Sequence, residues 1–161
     1  MTGIISKNPD CICELIRPED WDEKEINWTD KLFVADHVTS VFHIPLNFGA
    51  KMTKNIALIE AAGAAQKPVL TLTDEKSLWG ADIYIASAKE VPGAQMAKLS
   101  GSFITRVFEG PYGNAGRWAQ EMKQYLASKG KTPARIYFFY TACPKCAKRF
   151  GKNYVVLFAQ V

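Results

Sequence analysis

The side chains in this sequence that could do chemistry are an acid at an apparent strand end, two histidines and four cysteines. The acid is Glu109 in VFEGPY (107–112), where an apolar run stops and Gly110, Pro111 and Tyr112 follow. A carboxylate at the junction of a strand and a helix can reach into a cleft while its own backbone stays paired. Among apolar walls its charged form is disfavoured, so it can serve as acid or base near neutrality. Left ionised, it can neutralise a bound cation, helped by aromatic faces. The local alternative is that it supports the first turn of the next helix, where negative charge is favoured. His43, in VFHIPL (41–46), holds the matching place in the first half of the chain. It can be an acid–base partner, or a histidine simply hydrogen-bonded at a strand end. Trp79, in the loop SLWGAD, can lid a cleft or pack against a neighbouring strand.

The cysteines pose a separate question. Cys11 and Cys13 form C-x-C near the start, and Cys143 and Cys146 form C-x2-C in the basic segment CPKCAKRFGKN. Four thiolates in tetrahedral array are a common structural zinc site, and Lys145, Lys148 and Arg149 would offset their charge. A redox pair at Cys143 and Cys146, or four unlinked thiols, are the other readings. None of the four is given a catalytic role.

The elements that must position these residues follow from periodicity. The sequence has 161 residues, 48% hydrophobic and 22% charged, the composition of an ordinary globular chain. A net charge of +4, with basic residues scattered apart from the cluster at 145–152, does not point to nucleic acid. No apolar run reaches the roughly 20 residues of a membrane-spanning helix. The opening MTGIISKNPDCIC has no basic-then-apolar leader, so a cytoplasmic location and reduced cysteines are expected. Residues 33–43 read as a strand, and Met52, Ile56 and Ile59 give a helix ending at Gly63. PVLTLT (68–73) and ADIYIASAKEV then read as strands. AQMAKLSGSFITRVFE is extended, 114–129 is an amphipathic helix with Trp118, Met122, Tyr125 and Leu126 on one stripe, and ARIYFFYT and NYVVLFAQV are strands.

The order strand–helix–strand–strand thus occurs twice. VTSVFHIPLNFGAK (38–51) aligns with ITRVFEGPYGNAGR (104–117) at an offset of 66, which sets His43 against Glu109 and Pro45 against Pro111. The expected fold is α+β, a duplicated β-α-β-β module forming one antiparallel sheet with two helices. An N-terminal arm of 1–30 would precede a single domain at 31–161, built of modules 31–92 and 93–161. Trp21 and Trp28 would anchor the arm.

GSFITRVFEGPYGNAGRW, with VPGA (91–94) joining the halves, resembles the gyrase-inhibitor-like (GyrI-like) small-molecule-binding family over about residues 30–161. The resemblance implies a cleft for bulky, aromatic or cationic compounds, with the family's central carboxylate at Glu109. Its cleft aromatics would be Tyr112, Trp118 and one of Tyr137 or Tyr140. Lacking a helix-turn-helix segment, the chain is similar to stand-alone members, among them hydrolases that open strained cyclopropanes. Glu109 would then activate water, and Tyr112 or Tyr140 would donate to the leaving oxygen. No cofactor is needed for that chemistry. The alternatives are a module that only sequesters or senses hydrophobic or cationic compounds, and a protein that contacts a gyrase-type partner through 145–152. Haem carriage would rest on His37 and His43 alone and is discounted. The arm and the cysteine-bearing hairpin depart from the family's usual layout. The hairpin is long: Thr73 to Ile83 spans 10 positions, whereas Phe139 to Tyr154 spans 15.

Overall fold

The computed structural model describes residues 15–41, 44–45, 48–66, 69–77, 80–142 and 144–161. The elements in chain order are α1 (Pro18–Trp21), β1 (Glu25–Val41), β2 (Ile44–Pro45), α2 (Phe48–Ala61), β3 (Thr71–Ser77) and β4 (Gly80–Ala86). They continue with β5 (Met96–Glu109), α3 (Ala115–Ser128), β6 (Arg135–Tyr140), α4 (Pro144–Phe150) and β7 (Tyr154–Gln160). Mixed α/β structure with antiparallel pairing is therefore present. None of the described helices is long and apolar enough to cross a membrane. The chain divides into a central unit, Trp28–Ser100, and a terminal unit made of the chain up to Asn27 and Gly101–Val161.

In the central unit β1 pairs antiparallel with β4, from Phe33↔Ala86 to Thr39↔Gly80, and β4 pairs antiparallel with β3. Side chains alternate across a strand, so Val34 and Val38 of β1 share one face with Ile83 and Ile85 of β4. That face is closed by Ile59 of α2 and by Ala64 and Val91, all buried. Of the stripe expected for α2, Ile59 is buried and Met52 packs at the margin with Leu58, while Ile56 is not part of this cluster. Asn55 is the exception, a polar residue only 3% exposed on the buried side of the helix.

In the terminal unit the order of pairing is β5–β7–β6, all antiparallel. Val155 to Ala159 of β7 are buried without a break, because this strand is covered on both faces. On one face α3 contributes Trp118, Met122 and Leu126, spaced by four, against Ile104, Phe108, Phe138 and Leu157. Each such side chain contributes on the order of 1.5–3 kcal/mol by leaving water. On the other face the ring of Trp21 packs edge-on against Phe139 at 5.4 Å and Phe158 at 6.0 Å. The segment around it is tied to β5: Thr105 N–H donates to the Lys24 carbonyl (2.9 Å), and Val107 N–H to Asp22 Oδ1 (3.0 Å). The Thr105 hydroxyl donates to the Trp21 carbonyl.

Three details differ from the sequence expectation. β1 starts at Glu25, inside the expected arm, and β3 runs on to Ser77 through residues expected as loop. The cysteine-bearing hairpin holds a short helix, α4, opened by Pro144, whose missing N–H is no loss at a helix start.

Candidate active site at the end of β5

β5 ends at Glu109, paired with Tyr154 of β7. The next residue turns the chain. Gly110 has φ +144°, a conformation L side chains rarely adopt, and a Cβ there would lie 3.3 Å from Asn114 Nδ2 and 3.4 Å from Trp118 Cζ2. Asn153 clasps this turn from the opposite strand. Gly110 N–H donates to the Asn153 carbonyl (3.1 Å), and Asn153 Nδ2 donates back to the Gly110 carbonyl (2.8 Å). Pro111 leads in extended conformation into a single 3-10 turn at Tyr112–Asn114, and α3 follows.

The turn forms one wall of an open hollow of about 360 Å³. Glu109, Gly110, Pro111 and Tyr112 line that wall; Ala147 and Gly151, with Lys152 and Asn153, line the other. Glu109 and Lys152 are both exposed, so an anionic and a cationic group share one mouth above an otherwise mostly apolar lining. The Tyr112 hydroxyl donates to the Ala142 carbonyl at 2.5 Å, which fixes its ring against the start of α4's loop. Its ring lies 5.9 Å from that of Tyr140, which in turn stacks on Phe138 at 5.8 Å. Lys152 Nζ is 6.0 Å from the centre of the Tyr154 ring.

The residues singled out from sequence separate into groups. Glu109 and Tyr112 line the hollow together, whereas Tyr140 is not among its lining residues and touches the site through the Tyr112 ring. Glu109 meets water at the rim instead of lying behind the apolar walls that were expected around it. Trp118 is 2% exposed and stacks on Phe108 at 5.8 Å, beneath Gly110 in the core. Tyr137 is 1% exposed and sits 6.3 Å from Phe103, so neither ring offers surface to a ligand. His43, Trp79, Cys11, Cys13 and Cys143 lie outside the described residues. Cys146 is buried, and no group of three or more His, Cys, Asp or Glu among the described residues is placed to hold a metal ion. The second wall, Ala147 to Asn153, was not read as part of a site. Its one signal was the extra length of the hairpin that carries it.

No curated protein matches the chain. A solved hydrolase from Listeria innocua matches with TM-score 0.58 at 12% identity, covering 86% of this chain and 91% of that one. A further solved structure of a hydrolase from Listeria innocua gives 0.59 at 11% identity, with the same coverage. An uncharacterized conserved protein of Listeria innocua gives 0.58 at 11%, again covering 86% and 91%. At such identities the likeness concerns the fold. The family model described as bacterial hydrolase matches residues 4–161, and the chain belongs to that family.

Proposed function

We propose that this protein hydrolyses small hydrophobic electrophiles of the strained-ring, cyclopropane type, with Glu109 activating the attacking water. The observation that carries this is an exposed carboxylate at the mouth of a partly apolar hollow, beside a tyrosine and a lysine, in a member of a hydrolase family. In the proposed step Glu109 accepts a proton from water, whose oxygen bonds to the ring carbon as the strained carbon–carbon bond breaks. The electron pair released passes into the conjugated system of the substrate. Lys152 stabilises the oxyanion formed there. Tyr112, its proton committed to Ala142, serves as a wall for the substrate, and the product oxygen takes its proton from water at the open mouth. The GyrI-like resemblance belongs to this reading and rests on the sequence GSFITRVFEGPYGNAGRW.

The test is a cyclopropane-bearing alkylating compound incubated with wild type and with Glu109→Gln. A loss of turnover of about 10²–10⁴-fold with binding kept is the expected result for a general base. Equal turnover by both proteins overturns the assignment. A second reading, a module that only holds hydrophobic cations, is favoured by the openness of the hollow, which leaves the carboxylate hydrated. Binding by wild type without any turnover is its signature.

A further inference from the structure

A different constellation lies in the central unit, well apart in sequence from Glu109. His37 of β1 stands directly opposite Asp82 of β4, and its Nδ1 is 3.0 Å from Asp82 Oδ1. We propose that His37 and Asp82 form a second acid–base centre, in which His37 Nε2 is a general base for the hydrolysis of neutral or cationic activated esters.

A carboxylate at Nδ1 accepts the proton carried there and so selects the tautomer with a lone pair on Nε2. Nε2 has no hydrogen-bond partner among the described residues, and the His37 side chain is 58% exposed. The imidazole does not wave in solvent. It lies across Gly80: a Cβ on that residue would come 2.6 Å from Nε2 and 2.7 Å from Cε1. Glycine weakens a strand, and in a strand it marks places where another group approaches the backbone closely. The approaching group here is the imidazole. The backbone of His37 is held as well, since its N–H donates to Asp36 Oδ1 (2.7 Å). Asp36 is itself bound by Asn55 Nδ2 (2.8 Å) and Lys51 Nζ (3.2 Å) from α2. Carboxylate, glycine and braced backbone thus fix one ring orientation, as base catalysis requires and a solvated surface histidine does not.

The step balances without any other reactant. A water proton passes to Nε2 as the water oxygen bonds to the acyl carbon; the acyl C–O bond then breaks, and the leaving oxygen takes the proton back from Nε2. Asp82 stays ionised and stabilises the transient imidazolium, as a carboxylate does in a Ser-His-Asp triad. Asp74 stands opposite Asp82 on β3. A second carboxylate beside the dyad repels anionic acyl groups, which sets the preference for neutral or cationic esters. Tyr84, two residues along β4 from Asp82 and edge-on to Phe33 at 6.4 Å, gives the same face an aromatic shelf. Asp82, Gly80 and Asp36 are positioning residues; His37 alone would touch the substrate.

The experiment uses the full chain and p-nitrophenyl acetate. Wild type is expected to hydrolyse the ester faster than the same concentration of free histidine. His37→Ala is expected to lose about tenfold or more of that rate, within the range of general-base effects, and to regain it when imidazole is added. Gly80→Ala, which drives the ring aside, is expected to fall with it at unchanged circular dichroism. The nitrogen shifts of His37 are expected to report the Nδ1-protonated tautomer in wild type and a mixture in Asp82→Asn. A wild-type rate no higher than that of free histidine overturns the proposal. So does a fully active His37→Ala, or a loss that imidazole does not restore.

Discussion

Asp36 and Asn55 give the strictest test of how the central unit holds its helix on its sheet. The Asp36 side chain is 16% exposed and Asn55 is 3% exposed. Burial pushes the pKa of Asp36 upward and is the largest single effect on it. The bonds from Asn55, from His37 N–H and from Lys51 together outweigh burial, so its pKa lies below the ordinary carboxylate value. These contacts are unequal in worth. Lys54, at 3.8 Å and 62% exposed, contributes about 0–1 kcal/mol at most. Lys51, 31% exposed at 3.2 Å, is screened in part and counts for about 1 kcal/mol. The Asn55 bond is charge-assisted and buried, worth about 1.5–3 kcal/mol.

Asp36→Leu is therefore expected to cost about 2–4 kcal/mol, mostly because a buried Asn55 N–H loses its acceptor. Asn55→Leu alone is expected to cost about 1–3 kcal/mol, since the carboxylate keeps Lys51. In the double variant both polar partners are gone. Leucines at 36 and 55 then face the cluster of Val34, Val38 and Ile59, and the cost falls below the sum of the single losses by about 1–2 kcal/mol. The pH dependence has a fixed sign. A carboxylate with a lowered folded pKa contributes in full above its unfolded value, about 3.9, and loses that contribution as pH falls through the folded value. Urea unfolding followed by circular dichroism at neutral pH and at successively lower pH reads both effects. The gap between wild type and Asp36→Leu is expected to close on the acid side. A gap that stays constant into acid, or strictly additive losses at neutral pH, refutes the account of Asp36 as the charged tie between β1 and α2.

Two further substitutions probe the terminal unit. Trp118→Ala removes a fully buried ring from the Phe108 stack and is expected to cost about 3–5 kcal/mol in a thermal or urea melt, with the Gly110 turn loosened above it. Tyr112→Phe keeps the wall of the hollow and loses the bond to Ala142, so about 1 kcal/mol of stability goes while the ring-opening rate falls less than tenfold. A hundredfold loss of rate in Tyr112→Phe would instead make that hydroxyl the proton donor.

Parts of this structure are plain in the sequence because they are decided locally. Trp118, Met122 and Leu126 repeat at helical spacing and are buried together; Gly130, at φ +70°, follows the helix end. The apolar runs of β6 and β7 are strands for the same reason. β1 from Glu25 on is less legible, because EINWTDK has no uniform face and is held by pairing with residues far along the chain. α4 is seven residues, too short for periodicity to declare it. The aromatics show the deeper limit. Tyr137 and Tyr140 lie three apart on one strand, so alternation sends them to opposite faces, and nothing in the residue type says which face is core. The hollow needs the end of β5 to meet residues 147–153, and His37 meets Asp82 only through the β1–β4 register. Neither juxtaposition exists until the strands pair.

The two glycines beside the proposed centres make opposite demands, and this decides what mutagenesis can separate. At Gly110 the backbone itself requires glycine: φ is +144°, and the atoms an added Cβ would meet include Trp118 of the packed core. Any side chain there strains the turn and the core together, so lost turnover could not be told from lost folding. At Gly80 no positive φ is involved, and an added Cβ would meet the exposed imidazole at 2.6 and 2.7 Å and the Val38 carbonyl oxygen at 3.3 Å. A methyl group at position 80 can push that ring into solvent, so the orientation toward Asp82 is lost, while the Val38 carbonyl has to give way by only about a few tenths of an ångström. Position 80 therefore isolates positioning from stability, whereas the rim at 110 is inseparable from the fold that carries it. An unfolding midpoint that drops sharply in Gly80→Ala would mean that the ring is part of the packing after all, and the case for an oriented base would fail with it.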